Sequence, residues 1–556
     1  MFDVVVVGSG ISGGWAAKTL TEAGLKTLMV ERGPAVVHGA GYVTENKEPW
    51  DFPWRGAQGS AELRQAFGAS YSGEISEANR HFFATQASAP FRTPAGQPFH
   101  WIRGHQLGGR SLTWGRGVPR WSPADFGANA KDGHGTAWPV TYADIAPWYD
   151  LVETFIGVSG ARDGLAHWPD GIFQPPFALN AMEEHLRASI QTRFPDRRLI
   201  APRLANLTQP IGTRGTCQAR DQCSRGCSYG AYFSTQSSTL PAAEATGRLM
   251  VQTDTIAEKL LTNERGDRVT GLVCIDTRTG ARTVVNARSF VLAASAFSSV
   301  HLLLNSRSSA HPEGLGGNNR QLGRHVMDHV MCSSASGVHQ GLQDDYYRGR
   351  RPIGTVLPRF QNLSGQTEDF TRGYFYSVAT WRAGWSAALD RPGFGAQFKA
   401  SLGKPGPWKS SFLAFGECLP NTENRITLGH ESDRFGTPLL KIQMRFGENE
   451  ERMMRHARRE AKAMLIAAGF APIAESEIPE SPGMAVHEMG GARMGFDPRT
   501  SITNARSRLH AANNVAIVDG AVMASSACQN PSLTYMALAA RACTYLALDV
   551  KEGRFA

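Results

Sequence analysis

The glycine pattern near the start of this 556-residue chain constrains its fold more than any other feature. Gly8, Gly10 and Gly13 have the spacing G-x-G-x-x-G and follow an apolar run. The surrounding pattern predicts a strand buried on both faces, a helix and a second strand, over residues 3–7, 13–23 and 26–31. This order predicts a Rossmann-type βαβ unit at the beginning of the chain.

Each residue of this unit has a physical task in holding a dinucleotide. Gly8 permits the tight turn, Gly10 lets the backbone approach a pyrophosphate, and Gly13 lets the helix pack closely on the strand. The free N–H groups at the start of the helix attract the anion. Glu31, which ends the second strand, can accept hydrogen bonds from ribose hydroxyls and would repel a 2′-phosphate. A structural glycine turn is the alternative, but the complete context favours a dinucleotide without that phosphate.

The cysteines are unevenly distributed. Three of the eight, Cys217, Cys223 and Cys227, fall within eleven residues that also contain glycines. Three thiolates on such a loop can hold a metal cluster. A zinc site would need a fourth ligand, which is absent nearby in the sequence, while a disulfide with one free thiol and three unligated thiols stay open as alternatives.

The overall charge has little diagnostic value. The formal net charge is +9 and the pI is near 9.2, yet the basic residues are scattered rather than gathered in one block. We therefore expect a solvated basic surface and no nucleic-acid partner. No apolar run of about eighteen residues predicts a transmembrane segment. The N-terminus carries no export-signal pattern, so we expect a cytoplasmic protein, or a periplasmic one if it is exported with a partner subunit.

Several segments carry a family resemblance. Residues 3–33 are similar to an FAD-type fingerprint, and four further landmarks follow at 108–111, 323–329, 423–426 and 487–495. On these segments the chain resembles the glucose-methanol-choline (GMC) oxidoreductases, and within them the bacterial sugar and polyol dehydrogenases. The resemblance implies FAD, in contact with Gly8, Gly10, Gly13, Glu31, Arg32, Gly108, Gly109, Ser111, Thr113, Asp519, Asn530 and Ser532.

The resemblance also implies how FAD is held. Some members of the family attach the flavin covalently through a histidine that follows the Gly108 landmark, where this chain has Thr113. A threonine cannot form that bond, so we expect non-covalent FAD. His105 is the nearby alternative attachment point.

Two residues are implied as the catalytic pair. The family places a histidine at the head of the C-terminal motif, here His487, and a histidine or asparagine further along, here Asn530, 43 positions later. A neutral imidazole can take the proton of an alcohol while the flavin takes the hydride, and an amide can orient the hydroxyl. The alternatives are that His487 is a core residue and that Asn530 caps a helix beginning near Ser532.

The positions of these motifs predict the domain organisation. The expected fold class is α/β, or α+β overall, with a Rossmann-type FAD-binding domain interleaved with a substrate domain built on an antiparallel sheet with helices. The predicted FAD-binding domain comprises residues 1–45, 96–125, 205–330 and 480–556. The predicted substrate domain comprises residues 46–95, 126–204 and 331–479.

Together these features predict an FAD-dependent dehydrogenase that oxidises a sugar or glycoside hydroxyl, with C3 of glucosides favoured. The resemblance implies a three-iron four-sulfur cluster on the three-cysteine loop. It also implies a cytochrome or quinone acceptor and a small accessory subunit. The alternatives are oxidation at glucose C1 or gluconate C2, a pyranose-type oxidase using oxygen, a nucleic-acid-binding flavoprotein, and an NAD-linked reductase.

Overall fold

The computed structural model describes residues 2–55, 61–343, 353–382, 384, 392–476 and 481–555. Their strands are β1 (Phe2–Val7), β2 (Thr27–Val30), β3 (Leu249–Gln252), β4 (Thr255–Thr262), β5 (Val269–Asp276), β6 (Arg282–Leu292), β7 (Val330–His339), β8 (Thr355–Leu357), β9 (Tyr374–Arg382), β10 (Trp408–Gly416), β11 (Arg425–Ser432), β12 (Pro438–Gln443), β13 (Ile473–Glu475) and β14 (Val515–Ile517). Their helices are α1 (Ile11–Glu22), α2 (Ala61–Phe67), α3 (Pro123–Asp132), α4 (Tyr142–Ile156), α5 (Ala181–Arg193), α6 (Thr239–Glu244), α7 (Ala296–Asn305), α8 (Gly395–Leu402), α9 (Glu448–Ala467) and α10 (Ser532–Lys551).

The predicted βαβ unit forms the centre of the first sheet. Strand β1 pairs in parallel with β2 on one side and with β6 on the other, and β3 and β14 extend the parallel part. Val4, Val5 and Val6 are fully buried, as a continuous apolar run in a covered parallel strand requires. The mixed α/β class predicted from the sequence is confirmed.

The long strand β6 joins two kinds of pairing. Its C-terminal half pairs in parallel with β1, whereas its N-terminal half pairs antiparallel with β5, which in turn pairs antiparallel with β4. Helix α1 packs against α10, and α10 packs against α4. The first and last parts of the chain therefore share one hydrophobic core.

The second sheet is antiparallel, with the strand order β13-β7-β10-β9-β8. Successive side chains along its strands face two different environments, a hydrophobic core and a cavity. Tyr374 and Tyr376 of β9 are buried in a core that includes α9, whereas Phe375 and Ser377 line a cavity on the other face. The sheet is thus one wall of the site described below.

The predicted domain boundaries stay predictions, and the boundary between 479 and 480 lies outside the described residues. Among the helices in the described part of the chain, none combines the length and the apolar composition that a membrane-spanning helix requires.

Candidate active site

A cavity of about 730 Å³ lies between the parallel sheet and the antiparallel sheet. At one end it is lined by the glycine turn after β1, and at the other by the segments that carry His487 and Asn530. Eleven of the residues predicted from the sequence line it: Gly8, Gly10, Glu31, Arg32, Gly109, Ser111, Thr113, His487, Asp519, Asn530 and Ser532. The fold therefore brings most of the predicted site together.

The glycine turn is as tight as its spacing predicts. Gly8 has a φ of +96°, and a Cβ on Gly13 would lie 2.0 Å from the carbonyl oxygen of Gly8. Gly13 does not line the cavity; it lies where α1 approaches the turn. Gly10 occupies the N-cap of α1 and has no side chain with which to cap it, and Ile11 and Ser12 line the cavity. The first N–H groups of α1 are therefore available to an anion.

Glu31 is held firmly beside this turn. One carboxylate oxygen accepts hydrogen bonds from the backbone N–H and the hydroxyl of Ser9, and the other accepts from the backbone N–H of Gly33 at 2.9 Å. Burial raises the pKa of Glu31 in spite of these bonds. The side chain lines the cavity next to Thr255 and Ile256, a position suited to a ribose and its base.

The segment that follows Gly108 also lines the cavity. Gly108 itself does not line it, but its backbone N–H donates to the Ser9 hydroxyl at 2.8 Å. The Ser111 hydroxyl donates to the carbonyl of Gly108 at 2.6 Å. Thr113 and the partly buried His105 both line the cavity. These bonds fasten the segment to the nucleotide-binding turn.

His487 and Asn530 meet at the far end of the cavity. The amide nitrogen of Asn530 lies 3.4 Å from Nε2 of His487. Pro531, not Asn530, occupies the N-cap position of α10, so the predicted capping alternative for Asn530 is wrong. Burial lowers the pKa of His487 well below its ordinary value, and His329 and Arg110 lower it further. The imidazole is therefore neutral near neutral pH.

The backbone around this pair is strained. Val486 has a φ of +56° and Ala527 a φ of +48°, in the left-handed region that a β-branched valine rarely enters. Such strain persists only where the surroundings enforce it. The Val486 carbonyl accepts a hydrogen bond from Arg110 at 3.1 Å, and Arg110 also forms a 2.6 Å ion pair with buried Glu488. These contacts fix the turn that carries His487.

Two neighbouring residues that the sequence interpretation did not assign to the site also contact this turn. The carboxylate of Asp328 accepts from the backbone N–H groups of His487, at 2.9 Å, and Gly483, at 2.8 Å. Burial raises the pKa of Asp328 to about 7. Nδ1 of His329 lies 3.0 Å from Nδ1 of His487. Both residues belong to the 323–329 landmark, which was recognised only as a family resemblance.

Asp519 and Ser532 also line the cavity. Asp519 accepts from the Ser299 hydroxyl at 2.5 Å and from the backbone N–H of Ala521 at 3.0 Å. Burial raises the pKa of Asp519 to about 6. Ser532 begins α10, so the positive end of that helix points toward the cavity.

Aromatic rings line the side of the cavity formed by the antiparallel sheet. Phe375 and Phe415 are stacked with centroids 5.2 Å apart, Trp168 lies 5.5 Å from Phe375, and His487 lies 5.9 Å from Phe415. Arg203 and Ser377 add polar groups to this wall. The sequence interpretation did not identify these rings, because Phe375 and Phe415 lie on strands, and Trp168 in a loop, that are distant in sequence from the recognised motifs.

The predicted metal site is not supported. Cys217, Cys223 and Cys227 are free and partly buried, and the backbone carbonyl of Cys223 accepts from Arg116 at 3.0 Å. Within the described ranges, no group of three or more His, Cys, Asp or Glu side chains could hold a metal ion. The described side chains therefore give no support to a metal cluster on this loop.

The cavity fits FAD. It has an unblocked helix N-terminus for the pyrophosphate, a carboxylate for the ribose and a neutral histidine with an amide at the far end. The fold and this site define a flavin-dependent oxidoreductase that acts on alcohol groups.

Comparisons with known proteins agree. Residues 201–331 and 420–539 match the N-terminal and C-terminal regions of GMC oxidoreductase. The chain belongs to the GMC oxidoreductase family, and its cofactor is FAD.

Relatives of known activity extend over nearly the whole chain. The chain is 26% identical to 2-methyl-1,2-propanediol dehydrogenase of Mycolicibacterium austroafricanum, covering 98% of this chain and 95% of that protein. It is 27% identical to paromamine 6′-oxidase of Streptomyces fradiae, covering 99% and 92%. It is 24% identical to the fructose dehydrogenase large subunit of Gluconobacter japonicus, covering 99% and 98%.

A solved structure shows the same fold. Pyridoxine 4-oxidase from Mesorbium loti superposes with a TM-score of 0.63 at 17% identity, covering 98% of this chain and 99% of that one. Together with the family match, the comparisons establish an enzyme that oxidises an alcohol or sugar hydroxyl.

Proposed function

We propose that this enzyme oxidises a secondary hydroxyl of a sugar or glycoside to a carbonyl, with C3 of a glucoside as the preferred position. One observation carries the proposal. His487 and Asn530 converge at 3.4 Å in a cavity that continues to the dinucleotide-binding turn. The base His487, the orienting amide of Asn530 and the dinucleotide-binding turn thus line the same cavity.

The reaction divides between the protein and its cofactor. Bound FAD supplies the acceptor for the hydride that leaves the carbon. His487 accepts the hydroxyl proton at Nε2, the nitrogen that faces Asn530, while the C–O single bond becomes a carbonyl. Since burial lowers the pKa of His487, the ring is unprotonated and ready to act as the base near neutral pH.

Asn530 orients the hydroxyl. Its amide hydrogens can donate to the substrate oxygen, and it does not titrate, so it does not compete with His487 for the proton. The strained turn around Val486 keeps His487 facing the cavity. The protein thus places the O–H proton and the C–H hydride toward two different acceptors.

The aromatic wall supports a sugar ring as substrate. Trp168, Phe375 and Phe415 offer flat apolar surface to the C–H faces of a pyranose, and Arg203 and Ser377 can bond its hydroxyls. Relatives named for paromamine and fructose agree with a carbohydrate-like substrate. The preference for C3 rests on the resemblance seen in the sequence.

Product analysis tests the position of attack. The holoenzyme is incubated with glucose, gluconate and methyl β-glucoside in the presence of an artificial electron acceptor, and products are identified by NMR. A 3-keto glucoside is expected. A lactone from glucose or a 2-keto acid from gluconate would overturn the C3 assignment in favour of C1 or C2. The His487→Ala variant, measured in parallel, is the control for reactions outside this site.

The electron acceptor is a further part of the proposal. We propose that an external acceptor, a cytochrome or a quinone, receives the electrons and that an accessory subunit assists. A relative named as a large subunit supports this view. Oxygen consumption in step with substrate oxidation would instead favour an oxidase. A cytoplasmic location, or a periplasmic one reached with a partner, accompanies this proposal.

The cluster on Cys217, Cys223 and Cys227 stays a prediction, and no step of the reaction is assigned to it. The feature in its favour is the crowding of three thiols in one loop, and their mutual proximity adds to burial in raising the pKa of Cys223. Iron and zinc analysis of freshly purified protein tests it. About three irons per chain would support the cluster, and metal-free protein with full activity toward its acceptor would reject it.

A further inference from the structure

The hydrogen bonds of His329 determine where the proton of His487 lies. Nε2 of His329 is 3.1 Å from the backbone carbonyl of Ser526. A carbonyl can only accept, so Nε2 carries the hydrogen. His329 is fully buried, and burial lowers its pKa to about 4, so the ring is neutral and has a single N–H. Its Nδ1 is therefore an acceptor.

The same reasoning gives the position of the hydrogen on the His487 ring. Nδ1 of His329 and Nδ1 of His487 are 3.0 Å apart, and one hydrogen must lie between them. Since His329 has none to give at Nδ1, His487 provides it. A neutral His487 with hydrogen on Nδ1 has its lone pair on Nε2, the nitrogen beside Asn530.

We infer that His329 is the positioning residue that holds His487 in the tautomer able to accept a proton from the substrate. The inference rests on the proposed role of His487 as the base. His329 is not a catalytic residue in the strict sense, because it acts through His487. Once His487 has accepted the substrate proton, its Nδ1–H still has the same acceptor, so the charged ring keeps its orientation.

The chain fixes this geometry through adjacent residues. Asp328 accepts a hydrogen bond from the backbone N–H of His487 at 2.9 Å, and His329 accepts one from the ring of His487. Two adjacent residues therefore hold both the main chain and the side chain of His487. His329 directly precedes β7, which is locked into the antiparallel sheet. Its ring also lies 6.4 Å from that of Phe415 on the neighbouring strand. Charged and titratable groups near the two rings include Arg110, which lowers the pKa of His487, and Asp328, Glu488 and Tyr535, which lie close to one another beside the same turn.

The test removes the acceptor and keeps the ring volume. In His329→Phe, His487 loses the partner that selects its tautomer, whereas His329→Asn retains an amide oxygen that can accept near the position of Nδ1. Anaerobic flavin reduction by methyl β-glucoside is followed in the stopped flow. A base in the wrong tautomer loses on the order of 10²–10⁴ in rate. We expect a loss of about 10²-fold or more for the phenylalanine variant, and recovery to within about tenfold of the parent for the asparagine variant.

The pH dependence separates this role from a structural one. When the base is impaired, hydroxide from solution must remove the proton, so the ratio of parent rate to His329→Phe rate should fall as pH rises from 6 to 10. Damage to the fold alone would lower the rate by a constant factor. A constant ratio, a phenylalanine variant within a few-fold of the parent, or equal rates for both variants would overturn the inference.

A matched control exists elsewhere in the chain. His311 is a buried histidine whose Nε2 lies 2.8 Å from the Gly266 carbonyl, and it does not line the cavity. His311→Phe should leave the rate and its pH dependence unchanged. If His329→Phe does not retain FAD, His329→Leu replaces it. His487→Ala distinguishes the two proposals: an active alanine variant rejects the base itself, whereas an inactive one with an unaffected His329→Phe rejects only the positioning role.

Discussion

The close contact between α1 and the glycine turn gives a sharp prediction for Gly13→Ala. The new methyl would lie 2.0 Å from the Gly8 carbonyl oxygen and 2.8 Å from its carbon, where ordinary contact is 3.4–4 Å. Both atoms belong to the backbone, so no side-chain rotation relieves the overlap. Helix α1 must shift away from the turn. Overpacking of this kind lowers the free energy of unfolding by about 1–3 kcal/mol, and the better helix propensity of alanine offsets about 1 kcal/mol of that loss.

Gly10→Ala is the matched control, because it adds the same methyl three residues away. Gly10 has a φ of −63°, which alanine adopts freely. Among the residues that the structure describes, no atom lies within 4 Å of the new methyl. The free energy of unfolding of the apoprotein should change by less than about 0.5 kcal/mol. The methyl instead occupies the space through which the pyrophosphate approaches, so FAD affinity should fall by about tenfold or more.

Two measurements distinguish the variants. Urea unfolding of the apoprotein reports the free energy of unfolding, and titration with FAD, followed by flavin fluorescence, reports affinity. Gly13→Ala should lose up to about 2 kcal/mol of stability and FAD affinity as well, whereas Gly10→Ala should lose affinity alone. A stable Gly13→Ala protein with unchanged affinity would refute the close approach, and a destabilised Gly10→Ala apoprotein would refute the open space at that residue.

Three further predictions concern the site. His487→Ala should lower the rate of flavin reduction by about 10²–10⁴-fold with normal FAD content, and Asn530→Ala should lose less, because orientation is damaged while the base survives. The rate should decline only as pH falls through the pKa of His487, which lies well below 6.5, so a decline centred at or above that value would contradict the neutral, partly buried ring. Acid precipitation should release the flavin into the supernatant, since Thr113 cannot bind it covalently; colour that remains in the pellet would show a covalent bond.

Local patterns predicted the tight glycine turn and the place of Glu31 beside it. The glycine turn, Glu31 and the strand before them lie within 31 residues, and each has a role that its own chemistry implies. The ends of the elements were less accurate: the helix begins at Ile11 rather than Gly13, because the third glycine packs inside it. Gly13 is explained by the close packing of α1 on the glycine turn, and it does not mark the end of a helix.

The other half of the site depends on contacts that no local pattern specifies. His329 and His487 are 158 positions apart, and their contact depends on how β7 is placed beside the turn at Val486. The aromatic wall depends on the register that aligns Phe415 with Phe375 across β10 and β9. Sequence pattern identified His487 and Asn530 by resemblance, but the groups that orient them became visible only in three dimensions.

The alternation of the antiparallel sheet has a consequence for how this enzyme can change. Met331, Ser377 and Leu413 face the cavity, whereas Val330, Tyr376 and Phe412 face the core that includes α9. Adjacent positions on one strand are therefore subject to different selection, because a new side chain on the cavity face need not disturb core packing. Directed evolution restricted to these three cavity positions could explore new alcohols at little cost in folding, and natural divergence of substrate preference could follow the same route.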